Sequence, residues 1–251
     1  MAHSDLSKMK ASMVSIGLKT CASQLGELLD QAEKEQMPYR RFLDVLIDTE
    51  TDARNRRRVH RNFTGAHFPP QAKSLDEFNT AELESGLTAT QLMQLRELNW
   101  ADAAANIIFL GPPGLGKTML AVGLGLEAVN QGYAVCFERM QSLVDMLTTE
   151  HTSRASAFRL KRIRKCGVLI VDEVGFLPVT KEQANAFFSL VSELYEQTSI
   201  IITTNREIDQ WAEMLGDPVL TTALLDRLLY NAKCFSLKGE SYRIKHPKEE
   251  N

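Results

Sequence analysis

The sequence has no apolar run long enough to cross a bilayer, and its start has no apolar stretch of the kind a secretory signal needs. No membrane span or leader is therefore expected. Its cysteines, Cys21, Cys136, Cys166 and Cys234, stand far apart, with no C-x-x-C and no Cys/His cluster. That spacing speaks against a structural zinc site and points to free, mostly buried thiols in a reducing cytoplasm. Internal repeats and low-complexity tracts are missing. Strong charge of either sign is missing too: the formal net charge is −3, which gives no whole-chain attraction to nucleic acid. What remains is an ordinary globular composition, 44% hydrophobic and 24% charged over 251 residues, enough for one main domain and an appendage.

Charge is instead concentrated locally. Arg54, Arg56, Arg57, Arg58, Arg61 and Lys73 follow one another with no acid between Ala53 and Lys73. Arg154, Arg159, Lys161, Arg162, Arg164 and Lys165 form a second acid-free run. Such clusters bind phosphate backbones without reading sequence, although a charge run is often no more than a solvated face. Read for their cations alone, the runs do not indicate stacking on single-stranded bases, and duplex is the expected partner. Arg57 and Arg58 in the first run, and Arg159, Lys161, Arg162 and Arg164 in the second, are the candidate DNA contacts. The first run is equally suited to packing against another subunit.

Residues 1–68 read as a small helical domain. Leu25, Leu28, Leu29 and Ala32 share one helical face, Pro38 opens a second helix, and Phe68-Pro69-Pro70 stops it. Residues 69–104 read as a linker with a short helix near Gln91–Leu98. From residue 105, apolar strands alternate with amphipathic helices: Ile107–Leu110, Tyr133–Phe137, Val168–Val171, Ile200–Thr203 and Cys234–Leu237. These β-branched runs are apolar on both faces, as in a parallel sheet covered by helices, which makes 105–251 an α/β domain.

The first of these strands feeds Gly111-Pro112-Pro113-Gly114-Leu115-Gly116-Lys117-Thr118, a G-x-x-x-x-G-K-T loop, and Met119 continues into a helix. Strand, glycine loop and helix start are the context in which this motif binds a nucleotide. Glycines let backbone N–H groups approach the α/β-phosphates, and the helix points its positive end at them. Lys117 reaches the β/γ-phosphates and the Thr118 hydroxyl can ligate Mg²⁺. The third strand ends in Asp172-Glu173. There Asp172 can hold the water shell of the metal and Glu173 can deprotonate an attacking water. Asn205, at the tip of the next apolar strand, is placed to fix that water or the γ-phosphate, or is a turn asparagine. Spacing leaves two places for Arg227, this subunit's solvent or a neighbour's nucleotide. It leaves Arg243 between the γ-phosphate and the surface.

The order of phosphate loop, Asp172-Glu173, Asn205, Leu-Asp226-Arg227-Leu and Gly-Glu-Ser-Tyr-Arg243 resembles the IstB-like branch of the AAA+ ATPases, transposition helpers related to the DnaC helicase loaders. So do the leading segment LLDQAEKEQMPYRRFLDVLIDTETDARNRRRVHRNFTGAHFP, SLDEFN, DEVGFLPV and WAEMLGDPVLTTALLDRLLYNA. The resemblance covers nearly the whole chain. It implies a P-loop core whose five-stranded parallel sheet runs 5-1-4-3-2, with the N-terminal helical domain and only a rudimentary lid in residues 238–251. It implies Asn205 as sensor 1, Arg227 as an arginine finger acting in trans, Arg243 as a sensor-2-type arginine, and Phe78 near the adenine. The implied function is an Mg²⁺-dependent ATPase that assembles as a ring or helix on double-stranded DNA and assists a transposase. A helicase loader engaging its helicase through residues 1–60 is the alternative, and a non-hydrolysing, nucleotide-gated DNA binder is disfavoured by the intact Glu173.

Overall fold

The computed structural model describes residues 2–242 and divides into two compact units, Met1–Arg61 and Asn62–Asn251. The first unit is helical: α1 (Ala2–Ser15), α2 (Lys19–Lys34) and the greater part of α3 (Tyr39–Ala66). Its organising group is Glu50, 3% exposed on α3. Its carboxylate accepts the Thr20 and Cys21 backbone N–H groups at 2.8 and 3.1 Å, which caps the start of α2. It also accepts Arg54 Nε at 3.3 Å and Arg57 Nη2 at 3.1 Å. Burial alone would raise the Glu50 pKa, but these donors outweigh it and hold the carboxyl below its ordinary value.

In the second unit α3 ends at Ala66, with His67 in the left-handed region at φ 61°. Residues 75–104, the stretch with linker-like composition, carry two 3₁₀ turns (Leu75–Glu77 and Thr80–Glu82), α4 (Ala89–Arg96) and α5 (Asn99–Asp102). Leu75, Leu92, Leu95, Leu98 and Trp100 are all buried.

The sheet follows: β1 (Asn106–Leu110), β2 (Val135–Arg139), β3 (Val168–Val174), β4 (Ser199–Thr204) and β5 (Ala232–Ser236). All pairings are parallel and the order is β2-β3-β4-β1-β5, the 5-1-4-3-2 arrangement read from the other edge. β1, β3 and β4 are apolar on both faces because helices cover both. α6 (Lys117–Asn130) links β1 to β2; α7 (Met140–Thr148) and α8 (Arg154–Ile163) link β2 to β3. α9 (Lys181–Leu194) links β3 to β4, and α10 (Trp211–Leu215) and α11 (Pro218–Leu229) lead to β5. One continuous core runs from Met140, Leu143 and Leu160 through Val171 and Ile202 to Phe187, Trp211, Leu224 and Leu228.

The second strand begins at Val135, two residues later than the apolar run suggests, and continues through Glu138 and Arg139. Tyr133 is spent on the turn before it, where its hydroxyl donates to the Asp102 carboxylate. Glu138 and Arg139 extend the strand by pairing with Val171 and Asp172 of β3, and each has an ion-pair partner, Arg159 and Glu173 respectively.

Candidate active site: the phosphate loop and the tips of three strands

The loop between β1 and α6 turns back on itself through glycines. Gly111, Gly114 and Gly116 have φ of 138°, 88° and 79°. Gly116 caps α6 without any side-chain hydrogen bond, so the first N–H groups of that helix keep their donors for an anion. A Cβ on Gly116 would lie 2.6 Å from Phe78 Cε2, so Phe78 packs directly against the loop. Lys117 Nζ donates to the Gly111 and Pro112 carbonyls at 2.6 and 2.7 Å, which holds the ammonium across the loop it serves. Pro112 and Pro113 face solvent, Leu115 is buried beneath, and Met119 is half-buried in the first turn of α6.

The opposite wall is made by the tips of β3 and β4. Asp172 is 2% exposed, and its Oδ1 accepts the Thr118 hydroxyl at 2.8 Å and the Thr203 hydroxyl at 2.5 Å. Thr118 and Asp172, predicted as a metal pair from opposite ends of the motif set, are thus in direct contact. Among the described residues no group of three or more His, Cys, Asp or Glu stands ready for a metal. A hard hydroxyl and a hard carboxylate side by side suit Mg²⁺, which takes one or two protein oxygens and fills its shell with water and substrate phosphate.

Glu173 is next to Asp172 but points elsewhere. Pairing between β3 and β4 shifts register between Val171 and Val174, and at that irregularity Glu173 takes φ 61°. Its N–H donates to Thr203 Oγ1 at 3.0 Å, and its side chain is 49% exposed. A non-glycine residue in the left-handed region costs on the order of 1–2 kcal/mol, the kind of strain found where a side chain must be aimed. Arg139 Nε stands 3.7 Å from Glu173 Oε2. Asn205 is the exposed residue just past the tip of β4, on the strand that neighbours β3.

Two participants escaped the sequence reading. Thr203 is the buried hydroxyl that fixes both acids, Asp172 through its proton and Glu173 through its oxygen. Its signal was a polar residue ending an otherwise apolar strand. Arg139 had no signal of its own, because its relevance comes only from β2 lying beside β3.

The Gly-Glu-Ser-Tyr segment lies along the loop. Leu237 N–H donates to Leu110 O at 2.8 Å and Tyr242 N–H to Gly114 O at 3.0 Å. A Cβ on Gly114 would lie 2.0 Å from Ser241 Oγ. Arg243 falls outside the described residues. Arg227 is half-buried on α11, with its guanidinium 4.8 Å above the centre of the Phe188 ring and Nη1 donating to Ala223 O at 2.9 Å.

The second basic run needs correction. Arg159 is 7% exposed and is ion-paired with Glu138. It also donates to the Gly65, Ala66 and Phe137 carbonyls at 2.7, 3.1 and 3.2 Å. It is an internal cation capping the last turn of α3, not a surface contact. Arg164 donates from Nη2 to Glu150 at 2.8 Å and from Nε to Glu193 at 2.8 Å, and its hydrogen bond holds the Glu150 carboxyl below its usual value. Arg162 is half-buried with its guanidinium flat against Gly65, where a Cβ would fall 1.8 Å from Cζ. Of the four cations assigned to DNA on this run, only Lys161 is exposed, in company with Arg154 and Lys165. Phe158, inside the same run, is 77% exposed. On the first run Arg57 is exposed while engaging Glu50, and Arg58 is exposed. No described helix is long and apolar enough to cross a membrane.

Residues 11–250 match the model of the IstB-like ATP binding protein family. An insertion sequence IS21 ATP-binding protein of Pseudomonas aeruginosa is 37% identical over 88% of this chain and 83% of its own length. An insertion sequence IS232 ATP-binding protein of Bacillus thuringiensis is 35% identical over 93% of each. Among solved structures, DnaI superposes with TM-score 0.56 at 17% identity, covering 67% of this chain and 92% of that one. The replication initiator DnaA bound to AMPPCP and single-stranded DNA superposes with TM-score 0.55 at 20% identity, covering 71% and 54%. At such identities the likeness speaks for the fold, an AAA+ P-loop core.

Proposed function

This chain belongs to the family of IstB-like ATP-binding proteins, and we propose that it is an Mg²⁺-dependent ATPase that assembles on double-stranded DNA in the cytoplasm and assists a transposase. The observation that carries the ATPase is that Thr118, at the end of the phosphate loop, donates to Asp172, and that Thr203, which also donates to Asp172, accepts the backbone N–H of Glu173. The loop amides and the start of α6 hold the phosphates, and Lys117 moves from its carbonyls to the β/γ-phosphates. Thr118 and Asp172 hold Mg²⁺, which supplies charge neutralisation on the phosphate oxygens. Glu173 takes the proton of the attacking water, and Asn205 orients that water from the adjoining strand tip. The insertion-sequence relatives support a role in transposition over helicase loading, which rests on fold likeness alone.

Arg227 acts on a neighbour's nucleotide across a head-to-tail interface, an arrangement that repeats into a ring or helical filament. Arg227→Ala is then hydrolysis-deficient, and so is Lys117→Ala. A mixture of the two regains activity at interfaces where an intact loop meets an intact arginine. Steady-state hydrolysis measured over a range of mixing ratios checks this. Activity equal to the sum of the separate variants would assign Arg227 to its own subunit, where its stack on Phe188 already gives it a structural part.

DNA binding requires ATP, is weakly sequence-dependent, and falls steeply with salt. The test is a duplex titration at several salt concentrations, with and without ATP. Replacing Arg154, Lys161 and Lys165 together with Ala flattens the log–log salt slope by about 0.9 for each phosphate that is no longer neutralised, and weakens all sequences alike. Hydrolysis without DNA stays at the original level. An unchanged slope would move the DNA-binding face to Arg56–Arg58 on α3.

A further inference from the structure

α8 has two faces of different character. Ser156, Arg159, Leu160 and Ile163 point inward. Arg154, Phe158 and Lys161, at spacings of four and three, point outward, and Lys165 follows four residues on; all are exposed. Of the carboxylates on neighbouring elements, Glu138 is held by Arg159 and Glu150 and Glu193 by Arg164, while Asp145 on α7 accepts the Gln141 and Gln183 amides. A single exposed apolar side chain ordinarily requires no explanation. Here a phenylalanine, 77% exposed, stands at the centre of a cationic row.

A partner for this face must be a polyanion that also presents a flat apolar surface between its charges. A nucleic acid meets both demands: phosphates for the cations, a base face for the ring. Arg154 and Lys161 lie about 10 Å apart along the helix axis at 1.5 Å per residue, roughly three base-pair steps at 3.4 Å each. We propose that Phe158 stacks on a nucleobase while Arg154, Lys161 and Lys165 hold the flanking phosphates. The ring thereby opens a base step in the bound duplex, as apolar side chains do when they wedge between bases. This rests on the reading that the chain binds DNA, and it adds a deformation of the DNA that charge alone does not provide.

The experiment compares the unaltered chain, Phe158→Ala, Phe158→Trp and Lys161→Ala on one duplex and on its single strand, with ATP. The readouts are affinity at several salt concentrations and permanganate reactivity of thymines, which reports unstacking. Phe158→Ala is expected to bind about tenfold more weakly with an unchanged salt slope, in keeping with the loss of one stacked base, and to lose the reactive thymine. Phe158→Trp keeps both, whereas Lys161→Ala lowers the slope. Nucleotide affinity, equal in all four, verifies the fold. If Phe158→Ala matches the unaltered chain in affinity and reactivity while Lys161→Ala lowers the slope, DNA binding stands and the stacking proposal falls. If the unaltered chain binds no DNA, the DNA reading itself falls. If Phe158→Ala changes the sedimentation of the DNA-free protein, the ring packs against protein and the proposal is overturned.

Discussion

Glu173→Gln is expected to bind ATP as tightly as the unaltered chain and to hydrolyse it about 10²–10⁴-fold more slowly, the range a positioned general base contributes. Geometry separates the two effects. The N–H that anchors residue 173 to Thr203 belongs to the backbone and survives the substitution. The side chain itself is half exposed and is approached by Arg139 at 3.7 Å. An amide preserves size and hydrogen bonding and cannot accept the proton of water. Nucleotide affinity and steady-state hydrolysis, measured beside Lys117→Ala, check this. Lys117→Ala should lose affinity itself. Hydrolysis near the original rate in Glu173→Gln would remove Glu173 from the part of the base, and a loss of affinity equal to that of Lys117→Ala would make it a structural member of the loop.

Arg159→Ala is expected to cost about 3–5 kcal/mol of stability, the usual consequence of leaving one member of a buried ion pair uncompensated. Glu138 would keep its charge in a largely buried place, and the Gly65, Ala66 and Phe137 carbonyls would lose their donors. Arg159→Met with Glu138→Leu should recover part of the loss, because no bare carboxylate then remains inside. Lys161→Ala, two residues away and exposed, should fall within about 0.5 kcal/mol of the original chain. Urea denaturation of the four proteins decides it. A midpoint for Arg159→Ala indistinguishable from that of Lys161→Ala would return Arg159 to the surface.

That contrast marks the boundary of what the sequence discloses. The strands were legible because a parallel sheet covered on both sides demands unbroken β-branched runs, and β1, β3 and β4 have them. The phosphate loop was legible because few residue types fit an inward-turning backbone. Charge runs were less so, since a cation is written the same way whether it faces water or a buried carboxylate. Helical phase still held the clue: Arg159 falls three residues after Ser156 and four before Ile163, on the side that turns inward. Phe158, on the other side of the same turn, was passed over in a stretch read for its charge. Thr203 shows a third kind of loss. Its place between Asp172 and Glu173 exists only because β4 pairs with β3 and that pairing slips at Glu173.

The left-handed backbone at Glu173 has a consequence for descent as well as for catalysis. A glycine there would relax the chain and remove the strain, so the conformation that aims the acid is one the fold would discard if thermal endurance were all that mattered. Copies of this gene released from the need to turn over ATP should therefore drift first at this codon. Among degenerate relatives, a small residue in this place beside an intact Asp172 would mark a lineage that has kept nucleotide binding and abandoned the cycle.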